Sequence, residues 1–151
     1  LEARFELEQI VQVGQAQIPV HFVGFIDRID RIGQNGYRVI DYKSGKVKDE
    51  EVKMSSKLDA LTNLTKPKHG LQLCLYTLFF EAQYGQLPAE ARIESLINVA
   101  EDFALSYDKN TDLSVIPKLF EDGMQALVGQ LLDTEIPFEH NPEAKYCQFC
   151  T

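Results

Sequence analysis

The chain has 151 residues, 44% of them apolar, and a formal net charge of −8 at neutral pH. That length suffices for one domain with a sizeable core. No apolar run approaches the roughly 18 residues a membrane span needs, and the acidic balance excludes a protein that coats nucleic acid by bulk charge.

"ARFELEQIVQV" (3–13) sets Phe5 and Leu7 against Glu6 and Glu8, the alternation of a half-buried strand. "GQAQ" (14–17) is a turn. "IPVHFVGFIDRIDRI" (18–32) reads as a second strand, with Pro19 at its beginning or on an edge. "GQNG" (33–36) is a hairpin turn, and "YRVIDYKS" (37–44) is a third strand. Three strands joined by tight turns predict an antiparallel meander. Residues 45–65 are polar and lack a period, which predicts a loop or a broken helix. They fall in a lysine-rich stretch: from Lys43 to Lys68 seven lysines stand against four acids. Such a run is either a solvated surface or a place of contact with an anion.

"HGLQLCLYTLFFEAQYG" (69–85) is apolar nearly all round, so it predicts a helix buried against the sheet. Gly85 suits its C-terminus and Pro88 the exit. "ARIESLINVA" (91–100) reads as a fourth strand, and 112–133 as a helix with a rough apolar stripe. The order βββαβα predicts an α/β (α+β) fold, a mixed β-sheet flanked by helices. Three cysteines fit a reducing compartment better than a disulfide framework. A cytoplasmic protein with no membrane partner is therefore expected. Cys74 belongs in the buried helix. The first residue is Leu and no signal-like segment follows. The expectation is a single domain core over residues 1–151, forming a C-terminal fragment of a larger protein.

The chemistry sits in the paired strands. Strand side chains alternate faces, so Val39, Asp41 and Lys43 point one way, and on the preceding strand His21, Val23, Phe25 and Asp27 share a face. The turn at 33–36 folds these strands together, and Asp27 and Asp41 can converge. Asp30 has the opposite parity. Two adjacent carboxylates repel each other and are costly to desolvate, whereas a hard divalent cation offsets both. Mg²⁺ commonly takes one or two carboxylates plus waters and substrate phosphate. Lys43 beside that ion could orient or deprotonate a water, or neutralise charge on phosphorus. The competing reading is an ordinary Asp–Lys–Asp surface network.

"GFIDRID", "YRVIDYKSGK" and "QLCLYTL", in that order, resemble the PD-(D/E)XK nuclease superfamily in its RecB/AddB-type branch. The resemblance implies a restriction-endonuclease-like fold and a DNA nuclease, with exonuclease action expected and a part in repair or recombination. The partners implied are DNA and a helicase domain or subunit. It makes Asp27 and Asp41 ligands of Mg²⁺ or Mn²⁺, with the backbone carbonyl of Tyr42, and Lys43 the catalytic lysine. Gln72 and Tyr76 complete the site, and their spacing of four independently places them on one helix face. Lys46, Lys48, Lys66 and Lys68 are candidates for DNA contact. Many members of the branch end in CxxC within a [4Fe–4S] site. By that likeness Cys147 and Cys150 would be half of a cluster complete only in the full-length protein, and otherwise a reduced pair or half of a zinc site. The family's upstream His or Glu has no counterpart here, and His21 reads as a sheet histidine. Two alternatives remain. One is a nuclease-like domain without catalysis that binds DNA or a helicase partner, and the other is a CRISPR-associated RecB-like exonuclease.

Overall fold

The computed structural model describes residues 3–137. β1 (Ala3–Val13) and β2 (Ala16–Ile26) form an antiparallel hairpin in which Phe5 faces Gly24 and Leu7 faces Phe22. Its outer face stays wet: His21, opposite Glu8, is mostly exposed and pairs with that carboxylate at 3.0 Å. This agrees with its reading as a sheet histidine.

β3 (Arg28–Ile32) and β4 (Gly36–Lys43) form a second antiparallel hairpin. The expected meander is therefore broken. Residues 18–32 are two strands in separate sheets, and the break is Asp27. Its Oδ2 accepts the Tyr42 N–H at 2.9 Å, so a side chain takes the place of a backbone ladder partner and the strand bends there.

The lysine-rich stretch holds a 3₁₀ turn (Asp49–Glu51), the two-residue β5 (Lys53–Met54) and the short α1 (Ala60–Thr65). Asp59 caps α1 by accepting from Thr62 N at 2.9 Å. The fully buried Asn63 carboxamide ties the loop down. It accepts from Ser55 N at 2.8 Å and donates to the carbonyls of Ser55 at 2.9 Å and Leu58 at 3.1 Å.

α2 (Gly70–Tyr84) ends at Gly85, whose φ of 70° lies in the left-handed region. β6 (Glu90–Ser95) then pairs parallel with β4, setting Asp41 beside Ile93. Residues 96–100 leave the expected strand because Ser95 Oγ accepts the N–H groups of Ile97 and Asn98 and turns the chain. β7 (Phe103–Ala104) returns antiparallel to β6, and β8 (Ser106–Tyr107) pairs with β5. A 3₁₀ turn (Leu113–Val115) leads into α3 (Ile116–Leu132), with Pro117 in its first turn.

The main sheet, ordered β3-β4-β6-β7, is mixed and flanked by helices, as expected. α2 fills the space between it and the β1–β2 hairpin and buries Leu73, Cys74, Phe79 and Phe80 completely or nearly so. Aromatic contacts join the layers: Phe5 stacks on Phe79 with centroids 6.2 Å apart, and Phe22 meets Phe120 edge-on at 5.5 Å. Among the described residues no helix is long and apolar enough to cross a membrane.

Candidate active site

β4 ends in Asp41-Tyr42-Lys43, and period-two alternation turns Asp41 and Lys43 to one side. The β3–β4 register, with Arg28 facing Ile40, continues to place Asp27 opposite Asp41. From the other side comes α2, whose Gln72 and Tyr76 are one helical turn apart. The expected convergence of these five residues is found.

Asp41 is the hub. It is 3% exposed. Its Oδ1 accepts from Gln72 Nε2 at 2.7 Å and from the Tyr76 hydroxyl at 3.1 Å. Its Oδ2 lies 2.7 Å from Lys43 Nζ, an ion pair, and has no aligned hydrogen-bond partner. Gln72 serves both charges: Nε2 faces the carboxylate, and Oε1 accepts from Lys43 Nζ at 2.9 Å. This fixes the amide's orientation, since an ammonium only donates and a carboxylate only accepts. Gln72 Nε2 also donates to the Tyr76 oxygen at 3.0 Å. Burial first, and the Asp41 carboxylate next, push the Tyr76 phenol above its ordinary range, so it remains a donor.

Asp27, Asp41, Lys43, Gln72, Tyr76 and Lys68 line one cleft of about 700 Å³. Of the lysines expected to contact an anion, Lys68 lines it and also faces Glu51 at 3.7 Å. Lys46 and Lys48 are exposed on the loop after β4, with Lys48 3.6 Å from Glu50. Lys66 lies in a separate depression with Asp49 and Glu50. Cys147 and Cys150 lie outside the described residues. Cys74 is the buried core thiol expected, and desolvation pushes it up.

A family model described as the PD-(D/E)XK nuclease superfamily matches residues 1–151. The chain belongs to the PD-(D/E)XK nuclease superfamily. No curated protein and no solved structure matches it. PD-(D/E)XK nucleases act on phosphodiester bonds and typically use divalent metals. Among the described residues no cluster of three or more His, Cys, Asp or Glu side chains offers an all-protein cage. Two adjacent carboxylates suit Mg²⁺ nonetheless, because that ion keeps several waters and is bound through one or two carboxylates plus substrate oxygens. Asp41 Oδ2, paired with Lys43 Nζ and held by no hydrogen bond, is the carboxylate oxygen left for such an ion.

The sequence reading left two members of this PD-(D/E)XK site's surroundings unremarked. Arg28 donates to Asp30 Oδ1 at 2.7 Å and to the Tyr42 hydroxyl at 2.9 Å, bracing the strand end. His69 is buried at the start of α2, 3.8 Å from Glu51 Oε2, and its Nε2 has no hydrogen-bond partner. Its position three residues before Gln72 was the available signal, since residues so spaced neighbour each other on a helix.

Proposed function

We propose that the chain is a metal-dependent deoxyribonuclease of RecB/AddB-like character, acting as an exonuclease in DNA repair or recombination. The observation that carries this reading is the buried Asp41 carboxylate held by the half-buried Gln72 and Lys43 in a cleft. It is costly to build for stability alone, because desolvation offsets much of a buried ion pair's attraction.

In this reading Asp27 and Asp41, with the Tyr42 carbonyl, hold Mg²⁺ or Mn²⁺. When bound, such an ion polarises a phosphoryl oxygen and makes a coordinated water more acidic. Tyr76 and Gln72 hold Asp41 Oδ1, which leaves Oδ2 directed towards Lys43. Gln72 Oε1 positions Lys43 Nζ. From there Lys43 orients the attacking water or neutralises charge gathering on phosphorus. Lys46, Lys48, Lys66 and Lys68 are assigned to the DNA backbone, with a helicase domain or subunit as the macromolecular partner and the cytoplasm as the location.

Lys43→Ala tests the reading. Cleavage of DNA with Mg²⁺ or Mn²⁺ should fall a hundredfold or more, about 3 kcal/mol in the barrier. DNA binding should largely persist, because ground-state affinity is spread over several phosphates. Lys43→Arg should not rescue, since a guanidinium is bulkier and does not release its proton. Lys43 Nζ is already engaged by Asp41 and Gln72, which favours a non-catalytic binding domain as the second reading. A wild type that cuts no DNA with either metal would establish it, whereas a Lys43→Ala variant that cuts as fast as wild type would remove Lys43 from the chemistry.

A further inference from the structure

The cleft has two chemically different halves. One carries Asp27, Asp41, Lys43 and Lys68. The other is apolar, formed by Val23 and Phe25 from β2 and by Leu71 and Leu75 from α2. Val23 is 55% exposed and Phe25 49% exposed. Exposed apolar side chains gathered on one wall of a cleft mark a surface that meets a ligand. We propose that this wall is a nucleobase subsite with Phe25 as its stacking platform, so that the strand reaching the centre is unpaired.

The proposal rests on the nuclease reading and names its substrate class. Phe25 and Asp27 are two residues apart and line the same cleft, so their backbones are at most about 7 Å apart. With a phosphate at the carboxylate and lysine half, the attached base falls within reach of the Phe25 ring. Within a duplex a base shows its edge to a groove, and its flat faces are covered by neighbouring bases. Val23, Phe25, Leu71 and Leu75 offer no side-chain donor or acceptor to read an edge. They suit the flat face of an unstacked base, which aromatic side chains bind with little regard to sequence. Lys68 and Lys43 meet the phosphates of the same strand. An uncharged apolar peptide would satisfy the wall but make no use of the acids and lysines beside it.

The chain contains no tryptophan, so Phe25→Trp introduces a lone indole as a probe. It is titrated with a short oligothymidylate, with an abasic oligomer of equal phosphate count and with a blunt duplex. Ca²⁺ is present, since it takes oxygen ligands as Mg²⁺ does. Oligothymidylate should quench the indole, and the abasic oligomer and the duplex should not. By anisotropy, Phe25→Ala and Phe25→Leu should each bind oligothymidylate about tenfold more weakly than wild type. Their affinity for the abasic oligomer should be unchanged. Phe25→Trp should bind as tightly as wild type. Because Phe25 is half in water, melting points close to wild type should show the variants folded.

Equal affinity of wild type for oligothymidylate and the abasic oligomer would overturn the proposal. So would undiminished binding by Phe25→Ala, or quenching by duplex as strong as by single strand. Metal-dependent cleavage of any DNA by wild type leaves the nuclease reading standing in each of those cases. Absence of both cleavage and binding overturns the two together.

Discussion

Gln72 sets what its neighbours can do. Its carboxamide presents an oxygen to Lys43 and a nitrogen to Asp41, each at hydrogen-bond distance. No single charged side chain could serve both. His69, one turn earlier, answers to a different force. Burial first, and then the Lys43 and Lys68 cations, lower its pKa from the ordinary 6.5. The unfolded chain therefore binds a proton at a pH where the folded chain does not. The stability this contributes is fully present above pH 6.5 and is lost as pH falls through the lowered folded-state value. Melting temperatures followed from about pH 7 to pH 5 should decline, and His69→Gln should flatten the first part of that decline. Identical curves for the two proteins would remove His69 as the cause.

At the scale of elements, α2 carries Gln72 and Tyr76, and its seating on β2 decides where they lie. Gly24 is the contact. A Cβ there would stand 2.8 Å from Cε2 of Phe79, closer than real Cβ atoms come. Gly24→Ala should destabilise by about 1–3 kcal/mol in chemical denaturation, the range for overpacking. Cleavage should fall as α2 is pushed outward. Phe79→Leu added to Gly24→Ala should recover part of both, and a double mutant no better than the single would refute this packing account. The glycine of "GFID" was legible as a motif, but its reason was not, because Phe79 lies far along the chain. The same limit explains the break at Asp27. No proline or turn pair stands at 26–28, and only the distant Tyr42 N–H shows why the strand divides. α1 and the two-residue strands were too short to show a period, and a buried Asn63 bonded to Ser55 and Leu58 organises the loop around them. The core of α2, by contrast, could be read from composition alone, since a helix apolar on every side can only be interior.

For the molecule as a whole, the acidic total conceals an uneven layout, with the lysine-rich stretch set on an acidic body. The candidate site was legible because its residues sit in three contiguous motifs. The cleft's apolar wall was not, because β2 and α2 each contribute half of it. An ion held by Asp27 and Asp41, as proposed, would bind only the folded chain and so stabilise it by mass action. At a hundred times the dissociation constant the gain is about 2.7 kcal/mol. Mn²⁺ should therefore raise the melting temperature of wild type and leave that of Asp41→Asn unmoved. Equal rises would place the ion elsewhere.

The parallel seam between β4 and β6 gives the protein a history as well as a shape. Asp27, Asp41 and Lys43 leave the ribosome first, Gln72 and Tyr76 on α2 follow, and β6 comes last. Until β6 docks, with Ile93 beside Asp41 and Ser95 beside Lys43, β4 is an edge strand and Asp41 lies open to water. A half-made chain thus carries the acids and the lysine without the enclosure that arranges them.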